Sequence, residues 1–413
     1  MPFLHERLPN GLDVIAETSE SAVSTSVGFF VMTGSRDESD ALWGTSHFLE
    51  HMVFKGTPEI PGDAINRRFD DMGASVNAFT SEEDTVYYAS VLPEQQHEAV
   101  DLVARMMRPA LRDEDFETEK LVILEEIRMY DDQPPFGADE LCRAAFFGGH
   151  PLGRSVLGTA DSIRGLPVAA MRDYHRRRYA PGTMVLAASG AVDFPALVES
   201  AKRLCGAWEP VTAPERLVSV SPRAAARPGR ERIVRPAAAL DYAVWMVAGP
   251  DEHDPDRHAA RLLSVVLGDS SGSRLYWGLV DSGEAEQAAC IHQDFLDAGV
   301  FITQLSCDAA DVDELTERIA GIYATAASGG IPPAEFERAQ NKLASRVVLG
   351  GEKPRRRLFE VGLDWSHCRT YRSVGDNLRI VEQITLDDVH RVLKTWPLDA
   401  PAAAVVAGPG SGS

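Results

Sequence analysis

The same succession of patterns runs twice through the 413 residues. The apolar run Ser26–Met32 ends near Gly34, and acidic residues and a helix-period stretch follow. Tyr242–Val247 ends at Gly249, with Asp251, Glu252 and another helix-period stretch behind it. Asp115-Phe116-Glu117 opens a long helical segment, and Ala334-Glu335-Phe336-Glu337 opens its counterpart. Each half closes on an apolar strand ending in glycine, Met184–Gly190 and Ala402–Gly408. Strands alternating with long helical patterns predict a layer of sheet against a layer of helices. The expected fold class is α+β, with two homologous α/β-sandwich domains (sheet packed with helices) duplicated within the chain. The stretch Thr212–Arg232 carries Pro214, Pro222, Pro228 and Gly229 without apolar periodicity, so it reads as a linker. The expected division is residues 1–212, a linker at 213–231, and a second domain at 232–413.

Composition narrows the classes of function. Forty-one basic residues against sixty-two acidic ones leave a net charge of −21, which repels duplex nucleic acid. The five cysteines, Cys142, Cys205, Cys290, Cys307 and Cys368, are far apart and form no CxxC pair. That excludes a disulfide scaffold and a thiolate zinc ribbon, and suggests a reducing, cytoplasmic location. The start of the chain shows no secretory pattern, and no apolar stretch is long enough to span a membrane. The runs Arg176–Arg178 and Arg355–Arg357 read as solvated helix ends.

The segment Gly44-Thr45-Ser46-His47-Phe48-Leu49-Glu50-His51-Met52-Val53-Phe54-Lys55-Gly56 carries the most specific chemical signal. Thr45 or Ser46 can cap a helix and Gly56 can end it. On such a helix His51 lies about 40° from His47, and Glu50 about 60° to the other side. Two imidazoles one turn apart can reach a tetrahedral zinc ion, and the carboxylate between them can take a proton from its water. The alternative is two histidines on a polar face with an incidental glutamate. A catalytic site also needs a third protein ligand and an open position.

A third ligand is available on Phe116–Tyr130. Glu119 and Glu126 are seven residues apart, about 20° on the wheel, with Ile123, Ile127 and Tyr130 beside them. Glu125 lies about 120° from Glu119, nearer the side of Arg128. Acids bordering an apolar face are costly to bury without a cation. Glu126 is therefore the ligand candidate and Glu119 its supporting neighbour. A solvated acidic run describes Glu117 and Glu125 better. The repeat supplies a control. Aligning Gly34 with Gly249 sets Leu262, Val265 and Val266 against His47, Glu50 and His51, and aligning Phe116 with Phe336 sets Ala339 and Arg346 against Glu119 and Glu126. All five polar positions lose their metal chemistry together in the second copy, as a single site built on a tolerant scaffold would.

The chain resembles the pitrilysin-type inverzincin zinc metallopeptidases, in the branch of mitochondrial processing peptidase and its bacterial relatives. The resemblance rests on HFLEHMVFKGT at His47–Thr57, Asn77-Ala78-Phe79-Thr80 followed by Thr85 and Tyr88, and VILEEIRMYDDQP at Val122–Pro134. His150-Pro151-Leu152-Gly153-Arg154 with Gly158, and Tyr179 and Pro181 before a strand, add to it. It implies one zinc ion per chain on His47, His51 and Glu126, with Glu50 as general base and Glu119 as supporting acid. It implies a peptide substrate paired along the edge strand at Asn77, Ala78, Phe79 and Thr80. It implies a zinc-bearing catalytic domain at 1–212, a homologous domain without the metal site at 232–413, and two such chains enclosing a chamber. Active relatives usually carry an Arg…Tyr pair after an S-R-L-[FY] turn. Here the turn is Ser273-Arg274-Leu275-Tyr276, but Val280 and Gln287 stand where that pair would fall. Arg274 and Tyr276 read as turn and packing residues. The expectation is a zinc endopeptidase that works with a homologous partner, a heterodimer rather than a homodimer, without nucleic acid or membrane. The competing expectation is a non-catalytic structural or peptide-binding subunit of a heteromeric complex.

Overall fold

The computed structural model describes residues 1–135, 137–212, 230–399 and 401–409. The expected linker lies outside them except for Arg230 and Glu231, which open a strand. Six strands form the first sheet: β1 (Phe3–Arg7), β2 (Asp13–Thr18), β3 (Thr25–Val31), β4 (Ser75–Thr80), β5 (Thr85–Val91) and β6 (Met184–Gly190). Their order is β1-β2-β6-β3-β5-β4, which leaves β4 on an edge. The second sheet holds β7 (Arg230–Val234), β8 (Asp241–Gly249), β9 (Ala285–Asp294), β10 (Gly299–Cys307) and β11 (Ala403–Gly408), in the order β7-β11-β8-β10-β9. The pairs β2–β6 and β7–β11 are parallel and the others antiparallel. The second sheet thus repeats the order and sense of the first from β2 onward.

Strand β3 reads TSVGFFV and is buried throughout, so both faces of its sheet need cover. Side chains alternate between the faces. Val27, Phe29 and Val31 pack with Phe48, Leu49 and Met52, while Phe30 faces away with Val86 and Val185. Leu358 and Val361, on the helix Pro354–Cys368, cover that second face. A Cβ on Gly362 would stand 2.3 Å from the Phe30 ring, so only glycine lets this helix come so close. In the second sheet, Val244, Met246 and Val300 pack with Cys142, Phe146 and Phe147 of the helix Ala138–Phe147.

These two helices change the expected division of the chain. The compact units are discontinuous: the first includes Val348–Gly375 and the second includes Arg128–Arg154. The linear bounds 1–212 and 232–413 place both segments with the opposite unit, because each covers a sheet face in the other half of the sequence. The arginine runs also differ from expectation. Arg176 and Arg177 pair with Asp173 at the surface, but Arg178 is buried against Asp37. The Arg357 side chain is 1% exposed, and its guanidinium donates to both oxygens of Glu17 at 2.8 and 2.6 Å. Tyr371 adds a third hydrogen bond to Glu17. A buried charge is tolerated only when paired in this way. All five cysteines are free, and no described helix is long and apolar enough to cross a membrane.

Replacing Arg357 with Ala strands the Glu17 carboxylate in the first unit. Losing one partner of a buried pair costs about 3–5 kcal/mol. Urea unfolding of Arg357→Ala is expected to show that loss, whereas Arg356→Ala, which removes a half-exposed side chain, changes stability by less than about 1 kcal/mol. Equal effects of the two would contradict the buried pairing.

Candidate metal centre

The helix Thr45–Val53 begins after Gly44, whose φ of 89° is open to glycine at little cost. Its N-terminus has no side-chain cap of its own. Glu38 supplies one from the preceding loop: Oε2 accepts from the Gly44 amide at 2.7 Å and Oε1 from the Ser46 amide at 2.6 Å. A carboxylate there satisfies orphan donors and complements the helix dipole. The Tyr174 hydroxyl bonds with the Ser46 and Thr33 hydroxyls at 2.8 and 2.9 Å. Phe48, Leu49, Met52 and Val53 turn into the core. Phe48 stacks on Phe116 of the helix Asp113–Asp132, with ring centroids 4.6 Å apart and planes 15° apart.

That stack brings the two helices together at their polar faces. His47, His51 and Glu126 each present a donor atom, and the three atoms lie within 4.8 Å of one another. His47 Nε2 is 3.7 Å from Glu126 Oε1, and His51 Nε2 is 3.5 Å from Glu126 Oε2. These gaps exceed a hydrogen bond. They approach the edge of a tetrahedron with zinc bonds of about 2.0–2.1 Å, which is about 3.3–3.4 Å. Three lone-pair donors converging without hydrogen bonds among them fit a cation. His51 Nδ1 meets Glu119 Oε1 at 2.9 Å, and Lys55 Nζ lies 2.5 Å from Glu119 Oε2. A ring nitrogen fixed by a carboxylate turns the other nitrogen toward a metal. Glu125 is exposed and Glu126 half-buried, in the order that the helical wheel expects, while Tyr130 is exposed.

Burial decides most of the electrostatics. His47 is pushed down to about 3, first by burial and then by the neighbouring His51. Burial works against protonated His51, but the Glu119 hydrogen bond and the charges of Glu126, Glu119 and Glu50 outweigh it and raise the group. Burial alone would raise Glu119. The hydrogen bonds from His51 and Lys55 reverse this and hold it below the usual carboxylate range. Glu126 is raised, chiefly by burial. Glu50 is raised by burial too, against the pull of a hydrogen bond from Thr80 and the charge of His51.

That hydrogen bond gives Thr80 a place the motif did not suggest. Its hydroxyl donates to Glu50 Oε2 at 2.5 Å from the end of edge strand β4. On the same strand Asn77 is exposed, whereas Ala78 and Phe79 are half-buried and Phe79 packs against Phe359. In the second unit Arg274 is bound to Glu335 at 2.7 Å and to the Gly330 carbonyl at 3.2 Å. Val280 packs on the core and Gln287 is exposed on β9. Sequence reasoning missed Glu38, Lys55 and the Thr80–Glu50 bond. Only Lys55, four residues after His51, carries a spacing signal.

The two histidines of the metal-free chain are expected to titrate apart. His47 stays neutral until far below its ordinary value of about 6.5, so the unfolded chain takes up a proton that the folded chain refuses. It therefore costs stability as the pH falls below that value. His51, raised in the folded chain, stabilises below that value and loses this effect as the pH rises through its folded pKa. Histidine NMR titration after chelation checks the order; His47 titrating above His51 would contradict the burial argument.

Comparisons with known proteins bear on this geometry. The model of Insulinase (Peptidase family M16) matches residues 13–160, and that of the Peptidase M16 inactive domain matches residues 166–343. A protein of Mycobacterium bovis named as an uncharacterized zinc protease is 34% identical over 412 residues, covering 97% of this chain and 92% of its own. A probable mitochondrial-processing peptidase subunit beta of Arabidopsis thaliana is 32% identical over 356 residues, covering 83% of this chain and 66% of its own. The crystal structure of a protease from Helicobacter pylori matches the fold with a TM-score of 0.90 at 20% identity, over 98% of each chain. With family models over both halves and a relative so similar along nearly its whole length, the chain belongs to the insulinase family, peptidase family M16.

Proposed function

We propose that this chain is a zinc-dependent endopeptidase that hydrolyses peptides or unfolded segments. The observation that carries the reading is the convergence of the His47, His51 and Glu126 donor atoms within 4.8 Å, with Glu50 on the same helix as the two histidines. His47, His51 and Glu126 would hold one zinc ion. When bound, zinc acidifies a water molecule and polarises the scissile carbonyl. Glu50 accepts the proton of the attacking water and returns it to the leaving amine. Its raised pKa suits both halves of that task, since a carboxylate of very low pKa would not keep the proton. Glu119 is a positioning residue that holds His51 through Nδ1, itself steadied by Lys55. The free edge of β4, with Asn77, Ala78, Phe79 and Thr80, offers main-chain groups to an extended peptide.

The reading extends to a partner. The second unit offers Val280 and Gln287 where active relatives usually carry Arg and Tyr, and Arg274 is already bound to Glu335. Charge on the carbonyl oxygen then needs a donor from elsewhere. A homologous partner chain that supplies it in a two-chain chamber fits this gap, and a heterodimer fits better than a homodimer. The subunit named in the plant relative supports an assembly of this kind. Five free cysteines support a reducing, cytoplasmic location. The second reading, a non-catalytic structural or peptide-binding subunit, draws on the same gap, and the intact His47, Glu50, His51 and Glu126 count against it.

Metal analysis combined with a peptide-library digest tests the reading. About one zinc per chain is expected, lost on His47→Ala, His51→Ala or Glu126→Ala. Glu50→Gln is expected to keep the metal and lower cleavage by at least about 10²–10⁴-fold. A Glu50→Gln protein cleaving at the unmodified rate would remove the general-base role.

The isolated chain is expected to bind zinc but cleave slowly, and addition of the partner to raise kcat more than it lowers KM. A single preorganised donor is worth about 10²–10³ in rate. Stopped-time digests with and without co-purifying protein measure this, and full activity from the chain alone would refute the partner's contribution.

A further inference from the structure

The repeat holds in three dimensions. Strands β2 to β6 have counterparts of the same order and sense in the second sheet. With Gly34 set on Gly249, the helices Thr45–Val53 and Arg257–Gly268 end in register. With Phe116 set on Phe336, the helices Asp113–Asp132 and Pro333–Gly351 begin in register. The second unit therefore has its own equivalent of the place where the first gathers its donors. A cavity of about 830 Å³ occupies it, and Val265, Val266 and Ala339, the counterparts of Glu50, His51 and Glu119, are among its walls.

The chemistry of this cavity differs from that of the metal centre. Its floor is apolar, and Trp277, 60% exposed, stands at its rim. Four cations line it, Arg274, Arg318, Arg338 and Lys342, against Glu335 as the single acid. Arg274, Arg318 and Lys342 have carboxylate partners. Arg338 is exposed and makes no ion pair among the described residues. An apolar floor with an exposed indole and an unspent guanidinium suits a ligand that joins a bulky apolar group to a carboxylate. The exposed rim admits a chain running through the site.

We propose that this cavity is a second binding site, independent of the metal centre, for an extended acidic peptide carrying a bulky apolar side chain. Its occupant leaves the apolar group over Val265, Val266 and Ala339 and its carboxylate at Arg338. This goes beyond the proposed hydrolysis and does not require it.

The test uses the full chain bearing Glu50→Gln, so that no probe is cleaved. The probes are a fluorescein-labelled peptide with glutamates flanking Phe-Leu and its lysine-flanked counterpart. Gly321 lines the cavity on the helix Val312–Gly329, and a Cβ there meets no atom within 4 Å. Gly321→Trp therefore sets an indole at the cavity wall from a position where its Cβ meets no neighbour, and Arg338→Glu reverses its unpaired charge. The acidic peptide is expected to bind saturably, as well with a chelator as without, and more weakly as salt rises. Each substitution, and exchange to the lysine-flanked peptide, is expected to weaken binding by about tenfold or more. Circular dichroism and unchanged zinc retention establish that the variants fold. Equal binding of the two peptides, unchanged affinity in Gly321→Trp, or no saturation up to about 1 mM would overturn the proposal. Binding abolished by the chelator yet kept in Gly321→Trp would overturn it as well, by assigning the peptide to the metal centre and leaving the proposed hydrolysis intact.

Discussion

The candidate metal centre depends on the stacking of Phe48 against Phe116. His47 and His51 lie on one helix and Glu119 and Glu126 on another, and the hydrogen bond between His51 and Glu119 exchanges contacts with water for a small net gain, so it does not by itself draw those helices together. Burial of two aromatic rings does so, with a quantifiable geometry: centroids 4.6 Å apart in nearly parallel planes. Phe48 follows His47 directly, and Phe116 precedes Glu119 by nearly one turn. Once the rings are in contact, Glu119 falls beside His51, and Glu126, two turns farther on, faces both imidazoles. Glu38 holds the same helix from its N-terminal end, through two amides that would otherwise be buried without partners. Apolar packing sets the distance between the donors, and buried hydrogen bonds set their rotation.

What the sequence discloses about this site is what one helix determines by itself. The spacing of His47, Glu50 and His51 fixes a shared face wherever the helix lies, and the spacing of Glu119 and Glu126 does the same. The repeat of strand and helix patterns is equally local, so the duplicated architecture was readable. Contacts that arise only when distant segments close are not. Thr80 reaches Glu50, and Lys55 reaches Glu119, across elements whose approach no periodicity specifies. Arg178 and Arg357 look like their neighbours in two arginine runs, and their burial is decided by Asp37 and Glu17, far away in the chain. Tyr130 shares a wheel position with buried groups yet is exposed, because the wheel gives a direction and not the length over which a helix is covered. The helices Ala138–Phe147 and Pro354–Cys368 serve sheets of the other half for the same reason: linear order does not say which apolar face still lacks cover.

The two copies of the fold show what the scaffold itself requires. Leu262, Val265 and Val266 are buried and contribute to the second core, where the first copy places His47, Glu50 and His51. Packing favours the apolar set. Burial pushes His47 far from its ordinary titration and raises Glu50 and Glu126, so each polar group in the first copy carries a desolvation cost. A fold that forms readily without these groups has no structural use for the cost. Their presence together, at convergent positions, speaks for chemistry rather than for stability.

In the proposed reaction one strand connects recognition with proton transfer. Among the described residues strand β4 pairs only with β5, which leaves its other edge to a peptide backbone, and its last residue, Thr80, donates to Glu50. Two opposing influences then meet on the same carboxylate. Burial favours the protonated form, which is needed to deliver a proton to the leaving amine, while the Thr80 hydrogen bond favours the charged form, which is needed to accept one from water. A base serving both steps gains from a pKa held between these limits. A peptide aligned along β4 is also aligned with the strand that orients the base. A shift in the strand's register would therefore disturb substrate placement and Glu50 together, which couples peptide geometry to catalytic competence without any separate switch.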